Sequence, residues 1–344
     1  MNDMFAFSQP YLALAPMQAI TDLPFMRVMQ QFGGPDYFVT EYFRVHEHYH
    51  LEKKILASIV DNDTGRPVFA QMIGQDIDAL VRNAKDLMNY PVAGVDLNLG
   101  CPAPVVCRKD AGGGLLRTPA RVDEILGRLR DAIDGKFTVK TRIGYTSHDE
   151  FEQLLEIFNR HELDLLTIHG RTVLERYQTP VHDDCVRRAV EVMDCPVIAN
   201  GNVVDVTTAR GYLQKTGAAG LMIGRGAIRS PWVFEQIRQD LAGQPIKQVK
   251  RSDLLEYIQL LYDAIAADPF IDFDPNKHVQ RMKKYLSYMA QGVDEEFEFQ
   301  IRRAKQPAEF FAICERHLAN DQLVPQLPPE NSKLFCGFNE LAEQ

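Results

Sequence analysis

The sequence predicts a (β/α)8 barrel of the TIM type, followed by a smaller all-helical domain. Three observations predict it. Short apolar runs alternate eight times with amphipathic stretches over about 200 residues. Polar residues recur where those runs end. After Gly226 the strand-like runs stop and only helical periodicity continues.

The runs, in order, are Tyr11–Met17, Tyr37–Glu41, Pro67–Ile73, Gly94–Leu99, Phe137–Ile143, Leu165–His169, Pro196–Asn200 and Gly220–Ile223. They are continuous instead of alternating, as in a parallel sheet covered on both faces. Helical stretches lie between them at Ile77–Asn89, Arg121–Ile133, His148–His161, Asp183–Met193 and Val206–Thr216. Thr118-Pro119 supplies a cap-and-proline start, and Asp205 a cap. A doubly wound open sheet competes with the barrel, but no GxGxxG fingerprint follows the first run. Ser230–Leu241 reads as a helix, and Gly243-Gln244-Pro245 as a linker. Helical patterns resume at Ser252–Ala267, Asn276–Met289 and Gln306–Leu318. The expected division is therefore a barrel over 1–243, a helical domain over 244–320 and an irregular, proline-containing tail over 321–344.

Composition narrows the class. The chain has 344 residues, 45% hydrophobic, which suits a sizeable core. No apolar run approaches the roughly 18 residues that a membrane span needs. The first ten residues lack the basic-then-apolar pattern of a signal peptide, so a cytoplasmic location is expected. The cysteines Cys101, Cys107, Cys185, Cys195, Cys314 and Cys336 form no CxxC pair and no zinc-type spacing, so neither disulfides nor a metal is expected. A net charge of −9 argues against wholesale coating of nucleic acid, though one basic stripe on an acidic protein remains compatible with it.

The C-terminal ends of barrel strands carry active sites. Here those ends hold Gln18, Glu41, Gln71, Asn98 with Cys101, Lys140 with Arg142, His169 with Arg171, Asn200, and Gly224 with Arg225. Packing alone gives no reason for polar groups to recur at one rim. Lys140 and Arg142, two apart, share a strand face and call for an anion or an electron-rich ring. His169 taken alone fits a satisfied core histidine equally well. Ala199-Asn200-Gly201-Asn202 and Ile223-Gly224-Arg225-Gly226 close the last two strands, where barrels bind phosphate. Gly100 and Pro102 turn the chain out of the fourth strand and set Cys101 at the rim, where a thiol is nucleophile, general acid or inert. Arg108, Lys109 and Gly112-Gly113-Gly114 read as a flexible basic loop, either a solvated linker or a lid.

These residues resemble the tRNA-dihydrouridine synthases of bacterial type. The resemblance rests on Leu14-Ala-Pro-Met17 with Thr21-Asp22, Gln71-Met-Ile-Gly74, Val95-Asp-Leu-Asn-Leu-Gly-Cys-Pro102, Lys140-Thr-Arg142, Ile168-His-Gly-Arg-Thr172, Val197-Ile-Ala-Asn-Gly201 and Met222-Ile-Gly-Arg-Gly226, in family order and spacing. It covers the whole barrel and, less specifically, the helical part. It implies an FMN-containing barrel that reduces the C5=C6 bond of a D-loop uridine in tRNA, with NADPH or NADH as reductant. Carried over by position, Pro16, Met17, Gln18, Gln71, Lys140, His169, Asn200, Gly201, Asn202, Gly224 and Arg225 would hold FMN. Cys101 would protonate C5 after hydride transfer from FMNH⁻ to C6, with Asn98, Arg142 and Arg171 on the uridine side. The segment Thr40-Glu-Tyr-Phe-Arg-Val45 and the glycine triplet resemble the branch acting at position 16, whereas Ser230-Pro-Trp-Val-Phe234 resembles another branch.

Affinity for tRNA would come from Arg108, Lys109, Arg281, Lys283, Lys284, Arg302 and Arg303, with Tyr285 beside the strip; an ordinary solvated helix face reads the same way. A monomer is expected. The rival enzyme is an FMN barrel acting on a free pyrimidine, of the dihydroorotate dehydrogenase kind. The rival of another class is a tRNA-binding protein with an idle redox site. The helical extension favours RNA, and a rim thiol favours chemistry.

Overall fold

The structure is a computed structural model that describes residues 9–177, 179–330 and 332–335. Cys336, most of the first ten residues and the end of the 321–344 tail lie outside the described residues.

The strands are β1 (Tyr11–Leu14), β2 (Phe38–Val39), β3 (Phe43–Arg44), β4 (Val68–Ile73), β5 (Gly94–Leu99), β6 (Phe137–Arg142), β7 (Leu165–His169), β8 (Val197–Asn200) and β9 (Gly220–Ile223). All pair in parallel, in the order β1-β9-β8-β7-β6-β5-β4-β2. A bridge between Ala13 and Tyr37 closes the sheet, so the predicted barrel is the fold. Every residue of β4 and β5 is buried, which explains their unbroken apolar character.

The second barrel strand differs from expectation because it is in two pieces. Phe38 and Val39 pair with Val68 and Phe69, but Phe43 and Arg44 pair with Met72 and Ile73. Four steps along one strand therefore oppose three along the other, which is a bulge at Thr40–Tyr42. The Thr40 hydroxyl accepts the Gln71 N–H at 3.0 Å where a ladder carbonyl would otherwise serve. The extra residue aims Tyr42 into the barrel mouth.

Helices α1 (Leu23–Gln31), α2 (Lys53–Val60), α3 (Ile77–Leu87), α4 (Pro104–Cys107), α5 (Pro119–Ala132), α6 (Phe151–Arg160), α7 (Asp183–Val192) and α8 (Val206–Thr216) accompany the barrel. The short α9 (Arg225–Arg229) and then α10 (Val233–Leu241) follow its last strand. The helical part comprises α11 (Arg251–Ala266), α12 (Pro275–Met289), α13 (Glu295–Ile301) and α14 (Pro307–Leu318). Asp205 caps its helix as expected, and Asp76, Asp274 and Asp294 also accept first-turn N–H groups, whereas Thr118 makes no side-chain cap bond and only Pro119 marks that helix start. No helix among the described residues is long and apolar enough to cross a membrane.

Polar contacts fasten the helical part to the barrel mouth. The Tyr285 hydroxyl of α12 donates to the Ile20 carbonyl at 3.0 Å, and its ring stacks on Phe25 at 5.7 Å. Lys54 lies 2.9 Å from Asp22 and 3.5 Å from Asp268, two carboxylates whose side chains are 9% and 3% exposed. Burial pushes the Asp22 carboxyl up, with Lys54 opposing it. Lys54→Met would leave two buried carboxylates without their cation. It is expected to lower unfolding free energy by about 3 kcal/mol, measured by urea denaturation; a loss below ~1 kcal/mol would mean that the cluster behaves as an ordinary surface pair.

Candidate active site

A cavity of about 460 Å³ opens at the C-terminal ends of the strands, within the range of small-molecule sites. Residues from nearly every strand end line it. Pro16, Met17 and Gln18 come from the segment after β1, Tyr42 from the bulge, and Asn98 with Cys101 from the end of β5. Lys140 and Arg142 come from β6, His169 and Tyr177 from β7 and its loop, Asn200, Gly201 and Asn202 from β8, and Gly224 and Arg225 from β9.

The turn after β5 is built from below. The Asn98 side-chain oxygen accepts the N–H groups of Gly100 and Cys101 at 3.0 and 2.9 Å. Its amide nitrogen donates to the Gln71 side-chain oxygen at 2.8 Å, and Gln71 donates to Asp96 at 2.7 Å. Thr138 donates to the other Asp96 oxygen at 2.6 Å. This buried chain locks the backbone that presents Cys101. Burial drives the Asp96 carboxyl up to about 6, with its hydrogen bonds to Thr138 and Gln71 holding it down.

That network places Gln71 fully buried beneath the cavity instead of in its lining. Its amide is engaged one layer below, so it acts through Asn98. Arg171 likewise stands outside the lining. It is fully buried and donates to the Thr179 carbonyl at 2.7 Å, to Asn202 at 3.2 Å and to His169 Nε2 at 3.1 Å. A guanidinium only donates, so Nε2 of His169 is the acceptor and the ring proton sits on Nδ1. Burial, then Arg142, Lys140, Arg171 and Arg225, hold His169 well below the usual imidazole range. It is a neutral group in a cationic wall.

Lys140 donates to the Asn200 side-chain oxygen at 3.2 Å. Burial, reinforced by Arg142, brings its ammonium down to about 8. Arg142 is 1% exposed and donates to the carbonyls of Gly100, Thr172 and Arg176 at 3.0, 2.8 and 2.9 Å. Its guanidinium carbon lies 5.3 Å from the centre of the Tyr177 ring, and that of Arg225 lies 4.6 Å from it. Tyr177 and Tyr42 were not among the sequence candidates. An aromatic residue at a strand end is a weak signal, and here the fold supplies its direction.

Cys101 is partly buried. Burial raises its thiol, opposed by the Ala103 N–H, Arg142, Lys140 and a hydrogen bond with the Tyr42 hydroxyl. Burial thus disfavours the thiolate, the form that a nucleophile would need.

The expected basic lid is also corrected in part. Arg108 and Lys109 are exposed beyond α4, but Gly112–Gly114 are buried within a 3-10 turn over 112–117. A Cβ on Gly113 would stand 2.9 Å from the Cys101 carbonyl and 2.7 Å from Val173. These glycines permit close packing against Cys101 instead of mobility. Of the basic strip on α12, Lys284 is exposed, Arg281 and Lys283 are half-buried, and Tyr285 is 1% exposed, so that ring belongs to the core. Lys283 joins Lys277, Arg302, Arg303 and Lys305 around an open basic cleft.

The arrangement is that of a barrel oxidoreductase site: a cation-lined cavity closed by glycine-containing loops, with a thiol at its rim. Residues 13–322 match the family model described as Dihydrouridine synthase (Dus), and the chain belongs to the dihydrouridine synthase family. It is 32% identical over 289 residues to a probable tRNA-dihydrouridine synthase of Helicobacter pylori, covering 83% of this chain and 84% of that protein. It is 30% identical over 321 residues to a tRNA-dihydrouridine(16) synthase of Ralstonia nicotianae, covering 90% of this chain and 96% of that one. Among solved structures, histamine dehydrogenase from Rhizobium sp. 4-9 superposes with a TM-score of 0.52 at 13% identity, over 73% of this chain. The match spans about half of that longer enzyme, 49%, and shows the barrel alone.

Proposed function

We propose that this protein is an FMN-dependent tRNA-dihydrouridine synthase that reduces a D-loop uridine, with Cys101 as the acid. The observation that carries this reading is the placement of the Cys101 thiol in one cavity with the cationic wall of Lys140, Arg142 and Arg225. The residues fit a flavin mononucleotide. Gly201 and Gly224 leave backbone open at the β8 and β9 ends, Arg225 offers a guanidinium there, and Lys140 with neutral His169 offers polar donors along the wall. Pro16 and Met17 give the ring an apolar side. Held there, a flavin would supply the hydride chemistry for C6, with NADPH or NADH as the reductant.

The chain's residues do the rest. The uridine must leave its stack to enter the cavity. Asn98, by fixing the turn, holds the Cys101 thiol where it can release its proton to C5. The S–H bond breaks as the C–H bond forms, and Tyr42 stabilises the thiolate left behind. Lys140 and Arg142 lower the cost of negative charge on the reduced ring or on the uracil carbonyl. Exposed Arg108 and Lys109 at the rim and the basic cleft beside Lys283 would bind the RNA backbone, with residues 244–320 acting as the gripping unit. We assign the target as uridine 16, in keeping with the Ralstonia relative and the Thr40–Val45 segment. A cytoplasmic monomer fits this role.

Mapping dihydrouridine by mass spectrometry in tRNA from cells lacking this protein tests the reading. Loss at position 16 alone is expected, restored by the gene and not by a Cys101→Ala copy. Unchanged tRNA in cells without a second synthase would overturn it.

A further inference from the structure

The chain beyond residue 322 lies outside the family match, yet it returns to the cavity. Its path begins in a short antiparallel contact. Arg251 N–H donates to the Gln322 carbonyl and Val324 N–H to the Val249 carbonyl, both at 2.8 Å. The next anchors are two arginines of α9, four residues apart. Arg229 donates to the carbonyls of Pro325 and Gln326 at 2.6 and 3.0 Å. Arg225 donates through Nη1 to the Lys333 carbonyl at 3.0 Å. Gln291 completes the hold, because its side-chain oxygen accepts the Lys333 N–H at 3.1 Å. Leu334 is 1% exposed and forms part of the cavity lining, and Ser332 is 4% exposed.

A tail that merely packed on the surface would leave the cavity wall to the barrel. Here the main chain takes a hydrogen bond from the very arginine at the β9 end, and a leucine side chain closes the adjoining wall. We propose that residues 323–330 and 332–335 form a strap that completes the cofactor site, orienting Arg225 and sealing the cavity so that retention of the flavin mononucleotide depends on the tail. This rests on the reading of the β8 and β9 ends as the phosphate end of that site. A guanidinium fixed by a main-chain carbonyl has little orientational freedom left to lose when an anion arrives nearby. The strap therefore acts on binding of the cofactor, not on the chemistry of the uracil.

The test is flavin affinity, measured without turnover by quenching of FMN fluorescence. Three variants of the full protein are compared: a chain ending after Val324, Leu334→Ser, and Gln291→Met. The expected result is a dissociation constant raised about tenfold or more in the truncated chain, as loss of one oriented charged hydrogen bond implies. Smaller rises are expected for the two point variants, with flavin lost faster on gel filtration. A truncated chain with a native circular dichroism spectrum and an affinity within twofold of the full protein would overturn the proposal. So would tighter flavin binding after truncation, which would make the strap an inhibitor. Should truncation unfold the chain, unchanged affinity in both point variants overturns it equally. A full-length protein that takes up no flavin refutes the functional reading, and the strap's role with it.

Discussion

Cys101→Ala is expected to abolish turnover while leaving flavin and tRNA bound. A positioned general acid contributes about 10²–10⁴ in rate, and no other titratable thiol lines the cavity among the described residues. Desolvation raises the thiol above its ordinary range, which favours the protonated form that an acid requires. The measurement is single-turnover dihydrouridine formation by pre-reduced protein, beside flavin absorbance and tRNA binding. If the alanine variant keeps more than about a tenth of the rate, well inside the loss that removing an acid should cause, Cys101 is not the acid. Loss of flavin with the mutation would instead indicate a structural role.

Lys140→Met should be the next most damaging change, with a loss of about 10²-fold, typical of removing one charge aimed at developing negative charge. The sign of its pH dependence follows from the structure. Burial and Arg142 bring the ammonium down to about 8, so it carries its charge below that pH and loses it above. Uracil reduction should therefore decline as pH rises through about 8, before the raised thiol of Cys101 begins to ionise. The methionine variant should lack that limb of the profile. A wild-type rate that stays flat from pH 7 to 9, a window straddling about 8, would remove Lys140 from the charge-stabilising role.

The barrel was legible because burial on both faces writes each strand as one apolar run. β5, β7 and β9 fall where those runs do. The second strand was read as one piece, since a bulge depends on register with its neighbour and leaves no mark in a single run. The helices α1 and α2 have no side-chain cap, and α13, although capped by Asp294, is only seven residues long. At the site, sequence identified which residues gather at the rim but not their depth. Gln71 and Arg171 sit one layer beneath the cavity, a vertical difference that strand position does not encode. The glycine triplet shows the same limit from the other side: composition suggests freedom, whereas contact with Cys101 and Val173 shows compression. The strap escaped notice because its contacts are main-chain carbonyls met by distant arginines.

The contact of Tyr285 with the Ile20 carbonyl has a geometric consequence for an RNA substrate. That carbonyl belongs to a residue of the cavity wall, and Tyr285 belongs to the same helix as Lys283 and Lys284. The cavity wall at Ile20 is thus tied by one hydrogen bond to the helix that carries Lys283 and Lys284. Under the proposed function, an RNA backbone held at those lysines would stand at a set distance from the cavity mouth, and that distance would bear on which nucleotide enters it.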